Sequence, residues 1–194
     1  MSPRIESVTQ DLLRVADDAR SAFGSLSAEQ LNWKPRPKRW SVAQCFDHVI
    51  NTHSLYFPIF EQLARGEYRA TLWRRYSPLS GTFGRFLIRR LDPKNSKPIS
   101  TTPKAYPSSS EIDSGIIGRY VEHQRQMVEQ LEKFPANFDF GGTIITSPLL
   151  RVFTYSVDDY LTILVYHSQR HHLQAQKVTE EEDFPKKEVI REGV

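Results

Sequence analysis

An all-α four-helix bundle is the fold this sequence predicts. Three observations predict it. Four long segments carry apolar residues at helical spacing, their starts carry capping or proline signals, and no stretch alternates convincingly enough to read as a sheet. A chain of 194 residues with 39% hydrophobic and 25% charged residues can fill one core, so we read residues 1–194 as a single domain. The mean hydropathy of −0.51 excludes a membrane protein. The longest apolar run, Tyr160 to Tyr166, falls far short of the roughly 20 residues that a bilayer span needs. The N-terminal stretch MSPRIESVTQDLL lacks the basic start, apolar core and small-residue site of a secretory signal, so a cytoplasmic location is expected.

The first helix is expected over residues 3–23. Ser2 caps it, Pro3 takes its first position and Gly24 follows its end. Ser27 and Gln30 have capping-box spacing for a short helical turn, after which Pro35 and Pro37 hold the chain extended. The second helix, residues 42–65, has the clearest start: Ser41 and Gln44 form a capping box, Trp40 and Cys45 occupy hydrophobic-staple positions, and Gly66 is the stop.

A long excursion, residues 67–107, separates the second helix from the third and holds at most a short amphipathic helix near residues 82–91. Its surroundings are strongly basic. Between Arg65 and Lys104 the formal charge is +8, against a net +3 for the whole chain. No helix-turn-helix or repeated aromatic platform accompanies that charge, so no nucleic-acid partner is expected. The third helix is expected over 109–134, with Ser108 and Glu111 as its capping box and Pro135 as its end. A Gly141-Gly142 linker leads to the fourth, over 157–178, which Ser156 caps with Asp158 and Asp159 in the first turn. The charged tail beyond it reads as loose.

Histidines stand on the inner stripes. Stepping by three and four along the fourth helix gives Val157, Tyr160, Leu164, His167, His171, Gln174 and Val178; the same stepping on the second passes through Cys45, His48 and Thr52. An i,i+4 histidine pair alone is a weak signal, and a single inward histidine is more often a hydrogen-bonded core residue. Three imidazoles on two facing stripes are different, because burying them together without a shared partner is costly and a metal ion takes one nitrogen from each. With Cys45 the only cysteine, neither a disulfide nor a Cys-rich zinc module can form. His53 and His172 lie off these stripes, and His123 reads as a core histidine.

The stretch LSAEQLNWKPRPKRWSVAQCFDHVINTH, from Leu26 to His53, together with VYHSQRHHLQAQKV, from Val165 to Val178, resembles the DinB-like superfamily. Trp40, Ser41 and His48 match its W-S-x6-H start to the second helix; His167 and His171 match its H-x3-H on the fourth. The resemblance implies a four-helix bundle that binds a divalent metal, zinc or nickel, through His48, His167 and His171. It also implies one of two activities: a transferase using a low-molecular-weight bacterial thiol, or a metal-dependent hydrolase.

Three nitrogens leave a coordination position open, the pattern of a catalytic site, at which water or a thiol is activated. Asn51 and Gln174 are expected as residues that orient the imidazoles. Arg74, Arg75, Arg89 and Arg90 are expected to form a cationic wall for a polar thiol and its small-molecule substrate. A non-catalytic, stress-related metal-binding bundle, acting as a homodimer through an exposed helix face, is the competing class.

Overall fold

The computed structural model describes residues 1–69, 80–95 and 105–186. Its helices are α1 (Pro3–Phe23), α2 (Ala28–Asn32), α3 (Val42–Ser54), α4 (Phe57–Ala64), α5 (Ser80–Leu91), α6 (Ile116–Glu132) and α7 (Val157–Thr179), with a two-stranded antiparallel ribbon, β1 (Ile144–Thr146) and β2 (Thr154–Ser156), between the last two. α1 packs on α6 and α7, and α3 packs on the same two, so α1 and α3 occupy opposite corners of a helical bundle. Among the described residues no helix is long and apolar enough to cross a membrane.

The helix starts follow their caps. Ser2 accepts from the Ile5 N–H ahead of α1, and both Ser27 and Ser41 make reciprocal capping boxes with Gln30 and Gln44. Arg4 then closes the bundle at one end, donating to the Asp158 carboxylate at 2.6 Å and to the Thr162 hydroxyl at 2.6 Å in the first turns of α7.

Four expectations change. The second helix is not continuous to residue 65: it breaks at Leu55–Tyr56, because Pro58 has no N–H to give and its ring would collide with the preceding turn, and α4 restarts from Phe57. Gly66, at φ 69°, still ends it in the left-handed region. The third helix starts at Ile116 instead of residue 109, since Ser108 is drawn to Asp47 and the Ile112 backbone is held by a two-way pairing with the Asn32 side chain at 2.8 Å. A short ribbon exists where no sheet was expected, its register running Ile144 to Ser156 and Thr146 to Thr154. The tail is docked through residue 185: Phe184 packs edge-on against Trp33, and the Pro185 carbonyl accepts from Gln30 at 2.8 Å.

The excursion contributes α5, which lies against α7 and β2. Gly84 makes this approach feasible, because a Cβ there would stand 2.2 Å from the Asp159 carboxylate.

The core is divided. One apolar cluster gathers Ile5, Leu12, Phe60, Leu131, Tyr160 and Leu164; the other gathers Val15, Phe23, Phe46, Val49, Tyr120 and Ala175. On α3, α6 and α7 a buried polar layer falls between the two, made of His48, Thr52, His53, His123, Gln124, His167, Ser168 and His171. Cys45 is fully buried in the second cluster, and burial pushes its thiol far above the usual range.

Candidate metal centre

The Ser41 capping box fixes where α3 begins and so places His48 two turns inside it, facing α7. On α7 the four-residue spacing stacks His167 and His171 on the side that meets α3. The three imidazoles converge, with one ligand atom from each lying within 4.8 Å of the others. Ring centroids are 4.9 Å apart for His48 and His167, 4.5 Å for His48 and His171, and 4.6 Å for His167 and His171.

The hydrogen bonds assign the His48 tautomer. His48 Nδ1 meets the Ala105 carbonyl, which can only accept, so Nδ1 carries the proton and Nε2 presents a lone pair. That lone pair faces His167 Nε2 at 3.0 Å. A proton or a cation must stand between them. A tetrahedral zinc with Zn–N bonds of about 2.0–2.1 Å holds its nitrogens about 3.3 Å apart, close to the spacing found. His167 Nδ1 pairs with His53 Nε2 at 3.0 Å, and His171 Nδ1 is buried with no hydrogen-bonding partner among the described residues.

All three imidazoles are held neutral. Burial lowers His48 to about 4 despite opposing help from the Ala105 carbonyl and Asp47, and burial first, then neighbouring histidines, holds His167 and His171 well below the ordinary value. A neutral imidazole is the form that binds a metal. The donor set, its spacing and its protonation therefore fit a divalent cation.

The orienting partners differ from those expected. Asn51 donates to Asp47 at 2.9 Å, and Gln174 lies on the rim of the adjoining cavity without a hydrogen bond to an imidazole. The Ala105 carbonyl and His53 take those positions instead. His53 was missed because it lies five residues beyond His48 and off its stripe. α3 is buried around most of its circumference, however, and that second face meets α7. His123 accompanies it at a ring distance of 6.2 Å and is tied to the Ser54 hydroxyl at 3.1 Å. His172 packs edge-on against Phe23, away from the cluster.

Trp40, expected in a staple with Cys45, lies against the cluster: its ring is 4.8 Å from His48 and stacked at 5.7 Å on His171. Four hydrogen bonds lace the returning excursion along α3: His48 donates to the Ala105 carbonyl, the Ser108 N–H and hydroxyl donate to Asp47 at 2.6 and 3.0 Å, and Gln44 donates to the Ser109 carbonyl at 2.9 Å. The centre is thus assembled by two bundle helices and a loop.

The cluster opens into a cavity of about 520 Å³. Lys38, Arg39, Lys94, Arg170 and Lys177 line it, and no Asp or Glu does among the described residues. The expected cationic wall is therefore built differently. Arg74 and Arg75 lie outside the described residues, Arg89 and Arg90 do not line the cavity, and the excursion contributes Lys94. Arg170 joins α7 to the excursion by donating to the Asn95 carbonyl at 2.6 Å.

Fold and site together define a helical bundle with a histidine centre suited to a divalent metal. A sequence profile of the DinB superfamily matches residues 11–175. The chain belongs to the DinB superfamily. Comparison with curated proteins and with solved structures gives no match.

Proposed function

We propose that this protein is a divalent-metal-dependent transferase that conjugates a small anionic thiol to an electrophile, with His48, His167 and His171 as the metal ligands. The observation that carries the reading is the pairing of three neutral, converging imidazoles with a cavity bearing, among the described residues, five cationic side chains and no carboxylate. A bound zinc or nickel ion supplies a Lewis acid with an open position, which favours the thiolate over the thiol. The chain's own residues do the rest. The Ala105 carbonyl and His53 hold two imidazoles in place, Trp40 covers one side, and Lys38, Arg39 and Lys177 receive the carboxylates of a polar thiol. Hydrolysis at the same centre differs only in what is activated there.

Zinc- or nickel-reconstituted protein should conjugate monochlorobimane to a bacterial thiol, with the sulfur displacing chloride and its proton passing to solvent. His48→Ala should remove both the bound metal, read by elemental analysis, and the conjugation. Full metal retention by His48→Ala overturns the ligand assignment. Metal loading without thiol conjugation, but with ester or amide cleavage, transfers the reading to a hydrolase; loading with neither leaves a metal-binding bundle.

A further inference from the structure

Behind the histidine cluster lies a second cavity of about 190 Å³, and its chemistry is the reverse of the first. Phe83, Leu87 and Leu91 of α5, Phe153 of the ribbon loop and Ile163 of α7 make its walls. No Lys, Arg, Asp or Glu lines it among the described residues. Phe83 and Phe153 stack face to face at 3.7 Å and so present a flat aromatic surface. His48 and His167 line this cavity as well as the cationic one, so both spaces reach the same pair of imidazoles.

Thr52, His53 and Ser147 add neutral polar groups to the wall, and three phenols stand among them. Tyr56, Tyr155 and Tyr160 all line it, and burial raises all three phenols, Tyr56 to about 12, so each is a protonated donor near neutral pH. The Tyr56 and Tyr155 hydroxyls bond to each other. The Tyr160 hydroxyl is buried and has no hydrogen-bonding partner among the described residues, although its residue is only 2% exposed. A buried donor left unmatched costs about 1–3 kcal/mol, which a ligand acceptor would recover. A dry apolar cavity of about 150 Å³ is enough to take benzene, so this one has room for a substituted ring.

We propose that this chamber binds the second reactant, a small aromatic or alkyl electrophile whose oxygen acceptor takes a hydrogen bond from Tyr160. The inference rests on the transferase reading and names its electrophile class. The anionic thiol enters on the cationic side and the apolar partner on the other, and they meet at the His48–His167 wall. There the sulfur–carbon bond forms, the carbon–leaving-group bond breaks with its electron pair, and the thiol proton goes to solvent.

Binding of two inert probes, acetophenone and ethylbenzene, to metal-free protein tests the chamber without any turnover. By ligand-observed NMR, acetophenone should bind saturably and at least fivefold more tightly than ethylbenzene. Leu87→Trp, which fills the chamber, should weaken acetophenone tenfold or more; Tyr160→Phe, which keeps the shape, should erase the preference between the probes while sparing ethylbenzene. Lys177→Ala should change neither. Absence of acetophenone binding, an unchanged affinity in Leu87→Trp protein of native circular dichroism, or a preference that survives Tyr160→Phe overturns the proposal. Because no metal is present, failure of the ligand assignment at His48 leaves this result standing, and the reverse also holds.

Discussion

His123 shows what burial does to a single side chain in the polar layer. It is 5% exposed, and loss of hydration lowers its pKa to about 4 against the ordinary 6.5. The unfolded chain therefore takes up a proton near pH 6.5 that the folded chain refuses until about pH 4. Stability is complete above the upper value and declines as pH falls between the two, by on the order of 3 kcal/mol for this group alone. His48, His53, His167 and His171 are lowered too, so they act in the same direction. Urea midpoints of metal-free protein should drop steeply from pH 7 to pH 4.5, and His123→Gln should make that slope shallower. At this scale the sequence spoke unevenly. Helical stepping picked out His48, His167 and His171 because spacing within a helix is a local property. The His53 contact with His167 depends on how α3 rolls against α7, and the Ala105 carbonyl arrives from a residue 57 positions away, so neither has a signature in spacing.

Among the elements, the segment after the excursion matters most for the site. Asp47 gathers the Ser108 N–H, the Ser108 hydroxyl and the Asn51 amide, and so anchors the loop whose Ala105 carbonyl fixes the His48 ring. Asp47→Ala should release that loop, remove the hydrogen bonds from Ser108 and Asn51 at a cost of about 1 kcal/mol, and lower zinc affinity about tenfold although no ligand is touched. Chelator competition measures the affinity and urea unfolding the stability. The same contact explains why a capping signal misled. Ser108 and Glu111 have the right spacing for a helix start, but a cap works only if its hydroxyl is free for the local backbone, and this one is engaged by α3. Where no tertiary partner competes, at Ser2, Ser27, Ser41 and Ser156, the caps fall where local chemistry puts them. Pro58 was equally visible in the sequence; its consequence, a broken α3–α4 pair instead of one helix, follows from the lost backbone donor.

For the molecule as a whole, charge and apolar surface are partitioned about one layer. Cations collect on one side of the histidines, from the loop before α3, from the excursion and from α7, while the aromatic chamber lies on the other. That distribution was not legible in the sequence: of the five cations only Lys94 belongs to the basic stretch 65–104, and Lys38, Arg39, Arg170 and Lys177 are brought to the same space by the fold. Citrate, a compact polyanion, should bind the metal-free protein with an affinity that falls severalfold between 50 and 300 mM sodium chloride, and Arg39→Ala with Lys177→Ala should remove most of that salt dependence by calorimetry. The lone thiol of Cys45 carries a consequence of another kind. Sealed inside the second apolar cluster, it is a built-in clock: an alkylating reagent can react only when α3 lifts away, so the labelling rate counts spontaneous openings of the native state. A ligand that grips α3 through His48 must slow that clock in proportion to how tightly it is held.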